Sequence, residues 1–473
     1  MPQDPDPLRD SSPLYLALDQ GGSQSRGLII DAHGRVLHQA AVAVATRRPR
    51  AQWVEQDPAA VSASLLLAAN RVVAALPVPQ RARLQACGIA CQRSSLLAWD
   101  RMAQRPLSPL LSWQDTRGAA RLPDDPAQLQ RLRQLSGLYP SAHHGASKCA
   151  WLLGQAEIRR AAARGRLQLL PLGAYLAQQL CGRLALDPAN AQRTLLWDYR
   201  ARDWSDEALA LFGLDRTLLP PLQPSLADWG RLRLELRALP CRLLAGDQSV
   251  APLAGGTPAV GVVQINLGTG AFLCTPDRDY PCPRLLHSLA YQGDQQQLAW
   301  LEGTVNGAGA ALQWLAHQPP RSDPVDPARP ALFLNAVGGL GSPFWRADRR
   351  SRFINTPDGA RAAAVLDSIL FLLQSNLAAM AAAGVPLQQL RLSGGLSRRA
   401  GLAQALADLS GLPVALMAEA EATARGMVWL LAAQPHAWQE DPPQRFDPRG
   451  DAALAARYRC WRHALAAWLA EPA

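Results

Sequence analysis

The first residues able to do chemistry are a carboxylate and a glycine pair. Asp19 follows the apolar run Leu14-Tyr15-Leu16-Ala17-Leu18, and Gln20-Gly21-Gly22-Ser23-Gln24-Ser25-Arg26 follows Asp19. Glycines let an anion approach the outward N–H groups of a tight turn, so Gly21, Gly22 and Ser23 can cradle phosphate without a lysine. Arg26 adds a charge that suits the terminal phosphate. A carboxylate beside phosphate needs a divalent cation between them, which reads Asp19 as a Mg²⁺ ligand acting through water; the plainer reading is a turn-initiating aspartate. A second turn, Gly268-Thr269-Gly270, lies between the strand-like runs 259–267 and 271–274. Ser393-Gly394-Gly395 precedes a helical stretch and reads as a nucleotide platform or as a tight strand–helix turn. Asp247, in Leu243-Leu244-Ala245-Gly246-Asp247-Gln248-Ser249, reads either as a helix cap or as the general base that takes a proton from an alcohol.

Composition removes several classes. The chain has 473 residues and a formal charge of +10, yet Lys148 is its only lysine. A Walker-type loop needs a Gly-Lys-Ser/Thr step, and Lys148 follows Ser147. The arginines are scattered without a base-reading pattern, so nucleic acid is not expected as a partner. The eight cysteines include no Cys-x-x-Cys pair and match no zinc spacing, which points to a reduced, cytoplasmic setting. The polar, proline-broken start, Met1 to Ser12, has no signal-peptide core, and no apolar run is expected to cross a membrane.

The elements that must position these residues alternate between strand and helix. Strands are expected at Leu14–Leu18, Gly27–Ile30, Val36–Val44, Leu84–Cys91, Leu107–Trp113, Leu390–Leu392 and Pro413–Leu416. Helices are expected at Leu167–Leu180, Asn306–His317 (stopped by Pro319-Pro320), Ala362–Ala383 (closed by Gly384), Arg399–Leu409 and Glu421–Leu431. Two strand–glycine turn–strand units far apart suggest two related halves, divided at Ala254-Gly255-Gly256-Thr257-Pro258. This gives a flexible N-terminus at 1–13, an N-terminal domain at 14–254, a C-terminal domain at 259–433, and a tail with a terminal helix at 434–473.

Taken together, the motifs resemble those of the FGGY carbohydrate kinases, and most of all the glycerol kinase branch, over about Leu14 to Ala433. Leu18-Asp19-Gln20-Gly21 with Ser25-Arg26 is similar to that branch's phosphate turn. Trp53-Val54-Glu55-Gln56-Asp57-Pro58, Gln92-Arg93, Trp113-Gln114 with Arg117, and Thr194-Leu195-Leu196 with Asp203-Trp204 follow in the family's order. So do Ala245-Gly246-Asp247-Gln248, Gly268-Thr269-Gly270, Glu302-Gly303, Gly339 to Trp345, Ser393-Gly394-Gly395 and Glu421 to Gly426. The resemblance implies an α/β fold of two ribonuclease-H-like, actin-type ATPase domains with the active site in the cleft between them. It implies ATP and Mg²⁺ as cofactors, Asp19 at the metal, and Ser23, Arg26 and Thr269 at the phosphates. Gly21, Gly22, Gly268, Gly309, Gln313, Gly394 and Gly395 would border the nucleotide. Arg93, Ser94, Trp113, Asp115, His143, Asp247, Gln248 and Phe272 would line the acceptor side, with Asp247 as base.

Departures from the family pattern bear on the acceptor. Ser94 stands where glycerol kinases carry a glutamate, His143 where they carry a tyrosine, and Asp115 follows Trp113-Gln114 as in xylulokinase-like branches; Arg399 replaces an asparagine beside adenine. Exchanging a carboxylate for a hydroxyl changes which acceptor hydroxyls are satisfied. The leading expectation is an ATP-dependent kinase of a small polyol or sugar, with glycerol as default; Ser94 leaves room for a longer acceptor, whose extra length Asp115 and His143 would hydrogen-bond. The alternatives are a pentulose kinase and a silent sugar-binding regulator. The expected partners are a small polyol or sugar and ATP, with no nucleic acid or membrane, in a possible homo-oligomer.

Overall fold

The structure, a computed structural model, describes residues 12–294, 296–319, 326, 328–418, 421–440 and 442–471. It divides into two compact units. Unit 1 comprises 1–257, 288–299 and 421–440; unit 2 comprises 258–287, 300–420 and 441–473.

The sheet of unit 1 is built from β1 (Leu14–Gln20), β2 (Gln24–Asp31), β3 (Val36–Ala43), β4 (Leu84–Cys91), β5 (Arg231–Arg233) and β6 (Ala238–Gly246). Their order is β5-β6-β4-β1-β2-β3. β1, β4 and β6 run parallel, and the β1–β2–β3 meander is antiparallel. Parallel strands buried on both faces favour continuous apolar runs, and β4 follows that rule, with only Gln85 exposed. The helix Pro58–Ala74 starts at Asp57, whose carboxylate accepts from the Ala59 and Ala60 N–H groups, with Pro58 in the first turn. The helix Ala422–Leu431 packs on β1 and β4 although it follows β1 by some four hundred positions.

Unit 2 repeats the pattern. Its seven-stranded sheet includes β7 (Val262–Leu267), β8 (Ala271–Pro276), β9 (Gln297–Val305), β10 (Gln389–Ser393), β11 (Val414–Leu416) and β12 (Gln444–Phe446), lying in the order β9-β8-β7-β10-β11-β12. Again an antiparallel meander, β9–β8–β7, continues into parallel strands, β7, β10 and β11. β7 alternates buried Val263, Ile265 and Leu267 with half-buried neighbours, the period of a strand with one face on the core.

Four expectations change. The segment 167–180 is not all helix: Leu167–Pro171 is a strand paired with Leu96–Asp100, and only Leu172–Cys181 is helical. Pro171 divides them, because a prolyl ring disfavours helix in the residue before it. Between Leu107 and Trp113 only Leu110–Leu111 is a strand. The helix expected at 306–317 is Gly309–Leu315, and Pro320 lies outside the described residues, as does the stretch 1–11. The helix Arg361–Ala382 belongs to a segment, 358–382, long and apolar enough to cross a membrane, against the expectation that none is. It buries Val365, Ile369, Phe371, Leu373, Leu377 and Met380 in the core of unit 2. Part of the expected tail also joins that core: the helix Ala452–Ala470 inserts Leu454, Trp461, Leu465 and Trp468, and the Trp461 indole donates to the Phe333 carbonyl at 2.9 Å. All eight cysteines are free thiols.

Candidate active site

The chemistry of unit 1 collects at the carboxyl ends of its three parallel strands. Asp19 sits near the end of β1, Arg93 and Ser94 follow β4, and Asp247 follows β6. The register fixes this: Asp19 pairs with Ala90 and Ala90 with Ala245, while Cys91 pairs with Gln20 and Gly246. Ends of adjacent parallel strands are where open α/β sheets place ligands, because the backbone there leaves the ladder and side chains converge.

Asp19 is buried, at 4% exposure, and its carboxylate accepts from Arg26 Nη2 at 2.5 Å. Arg26 is its direct neighbour across the β1–β2 hairpin. The other side of the guanidinium donates to Glu421 at 2.6 Å. Burial raises the Asp19 carboxyl above its ordinary range, and Arg26 pulls it back. The turn beside it is braced from below: Gly21 N–H donates to the Gln24 carbonyl, and the Gly22 carbonyl accepts from Gln56 Nε2 at 2.8 Å. Gln56 Oε1 in turn accepts from Gln92 Nε2 at 2.7 Å, which ties the turn to the end of β4. Gly22 and Ser23 are exposed.

Asp247 opens the short helix Asp247–Val250, with Gly246 as the capping residue. Its carboxylate accepts the N–H of the adjacent Gln248 at 2.7 Å, and no side-chain cap bond is formed at that helix. Arg93 Nε lies 4.0 Å from Asp247 Oδ1. Burial pushes the Asp247 carboxyl up to about 6; Arg93 opposes the rise and the nearby Asp19 charge adds to it. Gly246 is needed for this contact, since a Cβ there would lie 2.7 Å from Arg93 Cγ and Cδ.

Around Arg93 the acceptor-side residues form two groups. Ser94 adopts φ 64°, with its hydroxyl 3.3 Å from the Arg193 carbonyl. Trp113 is 41% exposed, and its carbonyl lies 3.1 Å from His143 Nδ1. Asp115 is elsewhere, and its expected role is corrected. It is fully buried, takes three hydrogen bonds from the Arg117 side chain at 2.7 to 3.0 Å, and accepts the Val54 N–H at 2.7 Å. Arg117 also donates to Glu55 at 2.7 Å and lies over the Trp53 ring at 3.8 Å. With both carboxylate oxygens committed to the protein, Asp115 is a clasp between segments and not a pocket group.

Unit 2 gathers the remaining glycines. Gly309 N–H donates to the Gly268 carbonyl at 3.0 Å and Ala310 N–H to the Thr269 carbonyl at 2.9 Å, seating the helix Gly309–Leu315 on the β7–β8 turn. Gly394, at φ 92°, lies so close to β7 that a Cβ would come within 2.4 Å of the Leu267 carbonyl oxygen. Thr269, Gln313 and Gly395 are exposed around this junction. Phe272, half-buried on β8, belongs to unit 2, as does Arg399 after Gly395.

Comparison with known proteins identifies the family. The N-terminal domain of the FGGY family of carbohydrate kinases matches residues 14–241, and its C-terminal domain matches residues 263–434. The chain belongs to the FGGY family of carbohydrate kinases. A glycerol kinase from Polaromonas naphthalenivorans is 33% identical over 448 residues, covering 88% of this chain and 89% of the relative. A Plasmodium falciparum glycerol kinase, solved with ADP, superposes with a TM-score of 0.84 at 21% identity, covering 98% of this chain and 99% of that one. A xylulose kinase from Rhodospirillum rubrum gives 0.80 at 18%, covering 96% and 98%. The fold is thus the actin-like ATPase fold of this family. The protein is a phosphotransferase acting on a hydroxyl of a sugar or polyol, with ATP as the donor that the family implies.

Two contacts of this FGGY kinase's site escape the sequence. Glu421 meets Arg26 across 395 positions, and Arg193 joins the acceptor side, where its charge helps to lower the Asp247 carboxyl and its guanidinium bonds Ser288 at 2.9 Å. Arg193 carries no local signal beyond its residue type, and Glu421, although it opens a family motif, gives no local sign of its contact with Arg26.

Proposed function

We propose that this kinase transfers the γ-phosphoryl group of ATP to a hydroxyl of a small polyol or sugar, with Asp247 as general base. The observation that carries this reading is the Asp247 carboxylate: half-buried, raised to about 6, and beside Arg93 at the carboxyl end of β6. A carboxylate so placed is ionised at neutral pH yet basic enough to take a proton as the acceptor oxygen attacks. The acceptor O–H bond breaks toward Asp247, a P–O bond forms to the acceptor, and the bond to the departing ADP breaks. Positioning and charge compensation supply most of the rate in such transfers.

On the acceptor side, Arg93, Ser94, Trp113, His143 and Gln248 of unit 1 would hold the hydroxyls. Gly21 to Ser23 and Arg26 would meet the terminal phosphates from unit 1. Gly268, Thr269, Gly309, Gln313, Gly394 and Gly395 would carry the nucleotide on unit 2. Asp19 suits Mg²⁺, which is content with one carboxylate when phosphates and waters complete its shell; among the described residues no group of three acidic, histidine or cysteine side chains offers a fuller protein cage. Mg²⁺, when bound with the nucleotide, would neutralise phosphate charge. Glycerol is the default acceptor, and Ser94 supports a larger polyol or ketose as the alternative.

ADP release on addition of glycerol, larger polyols and ketoses tests the class and names the acceptor. Asp247→Asn should keep nucleotide binding and lose about 10²–10⁴ in turnover, the usual worth of a general base. Near-normal turnover in this variant would remove Asp247 from the role.

A further inference from the structure

The chain carries forty-seven arginines and one lysine, and the lysine is buried. Lys148 lies on the helix Gly145–Leu153 with no exposed surface. Its ammonium donates to three backbone carbonyls: Ser94 at 3.0 Å, Ser112 at 2.8 Å and His143 at 2.8 Å. The nearby carboxylate, Asp115, is bonded to Arg117. We propose that Lys148 is a positioning residue for the acceptor: its ammonium gathers these three carbonyls and so fixes Ser94, Trp113 and His143 relative to Arg93. The proposal rests on the acceptor side assigned above.

Three carbonyl dipoles pointing at one buried spot repel one another unless a cation sits there. An ammonium offers three N–H donors from a single point, in a tripod that matches three carbonyls. A guanidinium spreads five donors over a plane and suits flat, bidentate partners. This geometry accounts for a lysine at the one place where the otherwise uniform use of arginine fails.

The placement is costly, as burial pushes the ammonium down to about 7. The three carbonyls belong to segments far apart in sequence, each next to or part of an acceptor-side residue. Ser94 follows Arg93 in a left-handed conformation, the Ser112 carbonyl precedes Trp113, and His143 reaches back to the Trp113 carbonyl. Unfastening the ammonium releases all three segments together and leaves the β1–β2 phosphate turn untouched.

Uniqueness makes the test direct. In full-length protein grown with ¹⁵N-lysine, Lys148 Nζ is the only labelled side-chain amine. The probe is glycerol or D-xylulose, whichever gives the higher kcat/KM in the ADP-release assay. Saturating probe should shift the Nζ resonance, and an Nζ signal unmoved by saturating probe overturns the proposal. Lys148→Arg and Lys148→Met should raise the acceptor KM at least ten-fold and leave the ATP KM within two-fold. An equal rise in both KM values, or none, shows a structural role alone and overturns it. If neither variant folds, the resonance of the unaltered protein decides. Absence of ADP release with every polyol and sugar, read first on the unaltered enzyme, would refute the assigned kinase chemistry and not the lysine's role within it.

Discussion

In its proposed role Asp247 joins two demands that usually separate: a base must be charged, and this carboxylate is held where charge is disfavoured. Its raised value predicts the shape of the pH profile. The reactive form is the carboxylate, so kcat/KM should rise with pH along an acid limb whose midpoint lies near 6, well above the ordinary aspartate value of about 3.9. Initial rates from pH 4.5 to 8 with saturating ATP measure it. A limb centred near 4 would mean that Asp247 is solvated in the working enzyme and that burial does not tune it. Arg93 limits the rise, since its charge holds the carboxyl below where desolvation alone would put it.

At the scale of elements, the two glycine hairpins and the strand Leu84–Cys91 were legible because each rests on a local rule: apolar runs of strand length punctuated by residues that suit a tight turn. Residues 167–171 misled because a fully buried strand and a buried helix share the same apolar run. Asp115 misled in another way. A carboxylate beside an exposed tryptophan looks like a ligand group, and only the fold shows that Arg117, two residues on, takes both of its oxygens while bonding Glu55. Fastening of 112–117 onto 53–55 by this cluster predicts a stability defect where a pocket group would give a specificity defect. Asp115→Asn leaves Arg117 buried with half its partners, and breaking a buried pair costs on the order of 3–5 kcal/mol. The variant should unfold at lower temperature, while its folded fraction keeps the acceptor preference of the unaltered enzyme. A changed acceptor preference at unchanged melting temperature would return Asp115 to the pocket.

For the whole molecule, two acids raised by burial, Asp247 and Asp187, help to set how stability depends on pH. Asp247 is raised to about 6, and Asp187, which caps the helix Pro188–Gln192 through Asn190, is raised to about 7, both chiefly by burial. Each binds its proton more tightly folded than unfolded. Each therefore contributes stability that is present below pH ~4 and lost as pH rises through its folded value. Lys148, lowered to about 7, acts in the other direction: the folded state disfavours its ammonium, and the stability withheld at lower pH returns as pH climbs from about 7 toward 10.5. Other ion pairs overlay these terms, so the clean observable is a difference between two proteins. Asp247→Asn keeps the acceptor for the Gln248 N–H and removes only the charge. Its melting temperature should match the unaltered enzyme at pH 4.5 and exceed it by roughly 2 °C or more at pH 8, since about 1 kcal/mol moves a domain of this size by a few degrees. The same substitution should cost about 10²–10⁴ in turnover, so in the proposed role the carboxylate is retained for chemistry against the interest of the fold. A melting-temperature gap that stays constant from pH 4.5 to 8 would show that Asp247 titrates alike in both states, and would undo the burial on which its basicity rests.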